Sequence, residues 1–162
     1  MANLIENNEI MFTVFEPKVQ NRFILEINGI PSFLCKKASR PTIDCGEVVM
    51  DHINVQRKLK GKCKWNDINL TLYDGIVPSG AQAAMEWIRT SHESSTGRDG
   101  YADFYKKDFN IFVLGPVGDK VESWKVKGGY VKTATFGEMD WSVETQVEIQ
   151  LVIAMDWCEL EY

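Results

Sequence analysis

The sequence predicts a mainly β protein, an antiparallel sandwich or barrel with one α-helix packed on it. Three observations carry that prediction. Apolar residues alternate with polar ones in several segments, most sharply from Val143 to Met155. Turn signals such as Asn28-Gly29, Gly115-Pro116, Gly118-Asp119 and Gly128-Gly129 separate those segments. Only one stretch, Gly80 to Ser91, carries apolar residues at helical spacing.

Taken in order, residues 1–21 are polar and irregular and read as an N-terminal arm, leaving 22–162 as a single domain. Phe23, Leu25 and Ile27 fall on one face of a first strand, and Asn28-Gly29 signals a hairpin back into a second strand from Phe33 to Ala38. Arg40-Pro41 stops that strand, because proline disfavours helix before it and cannot donate to a ladder. Glu47 to Lys58 alternates with mixed faces and leads to a basic tip, Lys58 to Lys64, so a projecting hairpin is expected over residues 44–64. Ile68, Leu70 and Leu72 form the clean inner face of the next strand. Ser79 is the expected N-cap of the helix, whose stripe is Ala81, Ala84, Met85 and Ile88 with Trp87 near its edge. Ser94 to Gly100 reads as a surface loop. Strands are expected at Asp108–Leu114, Val121–Lys127 and Tyr130–Phe136, then a final one near Val143–Asp156. Fourteen residues at about 3.3 Å each span about 45 Å, long against the ~15 Å radius of gyration of such a chain. A strand of that length suits a large sheet better than a closed monomeric barrel.

Charge and chemistry narrow the function. The 162 residues carry 18 Lys+Arg and 23 Asp+Glu, a net of −5, which disfavours gripping nucleic acid phosphates. The charges are segregated. Lys36 to Lys64 is basic, with Arg57, Lys58, Lys60, Lys62 and Lys64 close together, whereas Thr133 to Tyr162 holds acids and no base. Opposed patches suit head-to-tail association of identical copies, although solvated faces give the same counts. No window is long and apolar enough for a membrane helix, and the first residues lack the pattern of a secretory signal. The four cysteines (Cys35, Cys45, Cys63, Cys158) lack metal-ligand spacing, and without an export signal reduced thiols are the default. His52 and His92 have no nucleophile or metal motif around them, and Gly115 to Lys120 lacks the spacing of a phosphate loop. No cofactor and no enzymatic activity are expected. Long two-faced strands, a basic hairpin and an acidic C-terminal region instead describe a self-assembling structural subunit.

Three segments then resemble the tail tube proteins of contractile-tailed phages and their relatives in phage-derived injection devices. They are Phe23-Ile24-Leu25-Glu26-Ile27 followed by Phe33 to Ala38 and Pro41; Trp65 to Asp74 leading into a helix with Trp87; and Gly137-Glu138-Met139-Asp140-Trp141 followed by Val147 to Trp157. The resemblance implies six-membered rings stacked into a tube, with strands of the subunits joined into one inner barrel. It implies as partners further copies of the chain, a contractile sheath protein, and baseplate and tail-terminator proteins. It places the chain in the virion tail, assembled in the host cytoplasm, with genomic DNA passing through the lumen without specific binding. On that basis Glu144, Gln146, Glu148 and Gln150 are expected to face the lumen, an outer solvated face being the alternative. The basic residues 57–64 are expected at contacts between subunits or rings, and Gln82, Glu86 and Arg89 toward the sheath. The tube of a bacterial injection or secretion system, or a tube-end or baseplate component, would use the same fold.

Overall fold

The computed structural model describes residues 16–161. The expected arm therefore lies outside the described residues up to position 15. Eleven strands and two helices follow: β1 (Phe23–Glu26), β2 (Cys35–Ala38), β3 (Ile43–His52), β4 (Val55–Trp65), β5 (Ile68–Tyr73), α1 (Gly80–Ser91), β6 (His92–Glu93), β7 (Arg98–Asp99), α2 (Ala102–Tyr105), β8 (Lys107–Leu114), β9 (Lys120–Thr135), β10 (Glu148–Ala154) and β11 (Trp157–Glu161). The predicted mainly β, antiparallel architecture with one substantial helix is what forms.

The strand β9 organises the molecule. Its N-terminal half pairs with β8 on one side and β11 on the other, and β1 extends that sheet beyond β8. Its C-terminal part, from Tyr130, pairs with β10, which continues through β5 to β2. Sixteen residues at about 3.3 Å each make it about 53 Å long. The turn expected at Gly128-Gly129 is thus a kink inside one strand. Gly128 takes φ +65, and a Cβ on Gly129 would lie 2.7 Å from the Phe109 ring, so both positions need glycine where the strand passes from one sheet to the next.

The final strand is correspondingly shorter than its alternation predicts. Regular pairing covers only Glu148–Ala154; the chain breaks at Met155-Asp156 and resumes as β11 along the same side of β9. Residues 143–147 alternate but pair with no strand. Hydrophobic period 2 therefore marks the faces correctly and the length wrongly.

The core lies between the two sheets and under α1. Leu25, Phe109, Ile111 and Val126 meet Ile68, Leu70, Leu72, Ile149, Leu151 and Ile153, all buried. Helix α1 starts where the sequence places it: the Ser79 hydroxyl accepts from the Gln82 amide at 3.3 Å, and Asp74 accepts from the Ala81 amide at 3.2 Å. Its buried face is rotated from the expected stripe. Gly80, Ala84 and Trp87 point inward, while Ala81, Met85 and Ile88 are only half-buried. The Trp87 indole donates to the Tyr105 carbonyl at 2.8 Å, which ties α1 to α2.

Two connections depart from the sequence reading. Asn28-Gly29 does turn tightly, with one bridge between Ile27 and Ile30. A 3-10 turn at Ser32–Leu34 then carries the chain across, so β2 begins at Cys35 and pairs with β5, not β1. The segment read as a loop at 94–100 is closed by the small β6–β7 ladder, where His92 and Asp99 pair at 2.7 Å.

Candidate assembly surfaces

Among the described residues of one copy, three surfaces remain unsatisfied. The first is a pair of strand edges. In the four-stranded sheet β9–β10–β5–β2, the outer edge of β2 has no strand partner among the described residues. Among the described residues, 130–135 of β9 pair only with β10, because β8 stops opposite Gly129. Both ends of this sheet therefore present open backbone donors and acceptors, which proteins either protect or pair.

The face of that sheet turned away from the core is small and polar. Its cross-strand partners are Gln150 with Thr71 and Thr135, Val152 with Asn69 and Thr133, and Glu148 with Tyr73. Of the four residues expected to form a lumen-facing row, Glu148 and Gln150 lie on this face. Glu144 and Gln146 are exposed but belong to the preceding loop. Glu148 is ion-paired with Lys36 from β2, whose ammonium also lies 5.5 Å from the Tyr73 ring centre. The bond to Glu148 holds the Lys36 amine above its ordinary range. Lys132 is likewise paired with Asp67 at 2.7 Å. The face is hydroxyl- and amide-rich with most of its charge paired, and does not form a continuous acidic strip.

The second surface is the β3–β4 hairpin, exposed over almost its whole length. Its turn falls at Ile53-Asn54, inside the segment the alternation treats as one strand. The basic residues expected at the tip instead line the returning strand. Placing the turn reverses the parity of β4, because His52 and Val55 become partners on one face. The mixed pattern then resolves. Val48, Met50, Val55 and Leu59 share one face with His52 and with Arg57, which lies opposite Met50 in its middle, at 52, 55, 68 and 42% exposure for the four apolar residues. Glu47, Asp51, Lys58 and Lys60 share the other, where Lys58 pairs with Glu47 at 3.2 Å.

A disulfide joins Cys45 and Cys63 across this hairpin, in place of the expected reduced thiols. Cys35 and Cys158 are free, and burial pushes each thiol up to about 11, which leaves them poor nucleophiles. An isolated two-stranded hairpin is marginal in water, so the bridge is the staple that keeps β3 and β4 paired. Reducing it is expected to speed tryptic cleavage at Lys58 and Lys60 by about tenfold or more while the melting of the β-sheet core stays unchanged. Equal cleavage rates in both states would show that the strands hold without it.

The third surface is the loop from Phe136 to Val147. Gly137 opens it at φ +81, where a Cβ would meet the Glu148 carbonyl at 2.8 Å. Asp140 then accepts from the Ser142 amide at 2.9 Å and hydroxyl at 2.7 Å. Those two bonds hold the Asp140 carboxyl below the usual carboxylate range and fix a turn that points Trp141 outward. Met139 is 92% exposed and Trp141 fully so. On α1, Gln82, Glu86 and Arg89 are exposed and border a shallow groove with Met85 and Phe136. Among the described residues no cluster of His, Cys, Asp or Glu is arranged to hold a metal, and no helix is long and apolar enough to cross a membrane.

No family model matches the sequence, and no curated protein matches it. Solved structures do. A chain of the cryo-EM structure of the anti-feeding prophage cap, the AFP tube-terminating cap, superposes with a TM-score of 0.75 at 18% identity, over 97% of this chain and 99% of that one. A chain of the PVC sheath–tube complex, from an extracellular contractile injection system in its extended state, gives 0.68 at 17% identity, over 98% and 99%. The chain has the tube-protein fold of phage-derived contractile injection systems. The same tube-protein fold appears in the PVC sheath/tube terminator structure, at a TM-score of 0.74 and 17% identity over 92% of this chain and 99% of that one.

Within the tube-protein fold, the clean inner faces of β5 and β10 were legible from alternation. Three features were not. The apolar face of the hairpin was hidden by the unplaced turn, the Cys45–Cys63 bridge by the expectation of reduced thiols, and the Met139–Trp141 turn because 137–141 was read only as a segment of the family resemblance. The last had a usable signal: Gly137 and the Asp140-Trp141-Ser142 sequence, in which Asp two residues before a free amide favours a turn.

Proposed function

We propose that this chain is a non-enzymatic structural subunit of the tube of a contractile, phage-type particle, polymerising as stacked six-membered rings inside a sheath. The observation that carries the reading is the four-stranded sheet with two open edges. Pairing β2 of one copy with residues 130–135 of β9 in the next satisfies both edges and closes a ring of sheets. The polar face bearing Gln150, Thr71 and Thr133 then lines the channel, where hydroxyl and amide groups let a polyanion such as genomic DNA, or a protein cargo, pass without fixed attachment. Glu148 lines it together with Lys36, and Glu144 and Gln146 lie at its mouth. Helix α1 turns Gln82, Glu86 and Arg89 toward the sheath, and baseplate and terminator proteins meet the two ends. Such a subunit works in a tail of a virion, after assembly in the host cytoplasm, or in an injection device. The AFP and PVC likenesses favour the device and also support a second reading, a tube-end component that caps growth.

Concentrating the purified full chain and imaging it by negative-stain electron microscopy tests the reading. Open-ended filaments with a central channel are expected. Rings that stop at one or two layers would favour the tube-end component, and a monodisperse monomer at millimolar concentration would overturn both.

A further inference from the structure

The register of the sheet places the two unsatisfied apolar features at opposite ends of it. The hairpin leaves from the end of β5 that starts at Ile68: the Asn66 amide donates to the Thr42 carbonyl at 2.8 Å and the Ser39 amide to the Asn69 carbonyl at 2.9 Å. The 136–147 loop leaves from the other end, where Tyr73 pairs with Glu148 and the Asp74 amide donates to the Val147 carbonyl at 3.2 Å. The six residues of β5 separate them by about 20 Å. Their chemistry is complementary. Trp141 and Met139 form an apolar point surrounded by Glu138, Asp140 and Glu144, none of which has a cationic partner among the described residues. The hairpin offers a mainly apolar face with Arg57 in its middle, opposite Met50, and Lys64 at its base, and neither cation has an ion-pair partner among the described residues.

We propose that the 136–147 loop of one copy docks on the apolar face of the β3–β4 hairpin of a second copy in the next layer. Trp141 and Met139 seat against Val48, Met50, Val55 and Leu59. Glu138, Asp140 and Glu144 face Arg57 and Lys64, which fixes polarity and speeds encounter. The contact rests on the tube reading and deepens it: two different patches at opposite ends form a heterologous interface, which propagates without closing. Apolar patches that face water on a lone subunit become the buried centre of the layer contact.

Two variants of the full chain test it, one with Met50→Asp and Leu59→Asp, the other with Met139→Asp and Trp141→Asp. All four positions are exposed, and unchanged thermal melts confirm folding. Each variant alone is expected to raise the critical concentration for filament growth at least tenfold. An equimolar mixture is expected to form stacks exactly two layers deep, since one intact loop meets one intact hairpin and both outer ends are blocked. Growth of either variant alone, or a mixture that forms no stacks, overturns the docking. If a variant does not fold, Arg57→Glu with Lys64→Glu replaces the first and Glu138→Lys with Glu144→Lys the second. Each charge pair should then block growth, and their combination in one chain should restore it; no restoration overturns the proposal. Wild-type filaments beside unaffected variants remove the docking and leave the tube reading standing, whereas a wild type that never polymerises removes both.

Discussion

Trp87→Ala is expected to lower the unfolding free energy by about 3–5 kcal/mol, enough to remove much of the stability of an ordinary domain. Trp87 is 2% exposed, sits in the cluster that joins α1 to both sheets, and donates its indole N–H to Tyr105. Alanine leaves a cavity that the rigid strands beneath cannot collapse into, and it also strips the Tyr105 carbonyl of its donor. Lys107, whose ammonium lies 5.0 Å from the indole centre, loses a cation–π partner as well. Urea unfolding followed by far-ultraviolet circular dichroism reads the change. Met85→Ala, half-buried on the neighbouring helical face, should cost much less. Equal losses at the two positions would show that the helix packs on the stripe suggested by its spacing.

Glu122→Gln is expected to cost about 1–3 kcal/mol at neutral pH, and to flatten the acid side of the stability profile. Glu122 is a buried carboxylate in β9, 5% exposed. Burial alone would push its carboxyl up. Lys18 and the Trp124 indole, each hydrogen-bonded to it, and Arg40 at 4.0 Å outweigh that and hold it below the usual carboxylate range. The folded carboxyl therefore binds a proton less readily than the unfolded one. Its stabilising contribution is complete above the unfolded value of about 4.3 and is lost as pH falls through the folded value. Thermal melts of wild type and variant from pH 7 to pH 3 should converge as the medium acidifies. A gap that stays constant with pH would mean that shape, not charge, accounts for the loss. The same group fastens the segment before β1 and the segment after β2 to the sheet, across a cleft lined by Arg22, Lys37 and Ile111.

Much of this architecture was legible because burial on one face writes itself into a strand at period 2. Ile68, Leu70 and Leu72, and then Ile149, Leu151 and Ile153, are inward in sequence and in space. Ser79 announced α1 because a capping hydroxyl is a local device. Positions that depend on partners far along the chain were not legible. Gly128-Gly129 reads as a turn unless one knows that Phe109 needs the space. Trp87 reads as an edge residue unless Tyr105 is present to receive its N–H. Ile53-Asn54 is a turn without the usual glycine, with Ile53 at φ 51, so nothing local marked where the hairpin reverses or which of its faces is apolar. The assembly surfaces follow the same division. Charge segregation between residues 36–64 and 133–162 was visible directly, whereas the opposite placement of hairpin and loop emerges only from strand register.

The shared strand has a mechanical meaning. One covalent backbone runs through both layers of the sandwich, so they cannot slide over each other along it without breaking ladder hydrogen bonds on β9. In a stack of copies such as that proposed above, the planes expected to yield first under load are the seams between copies rather than any plane inside one.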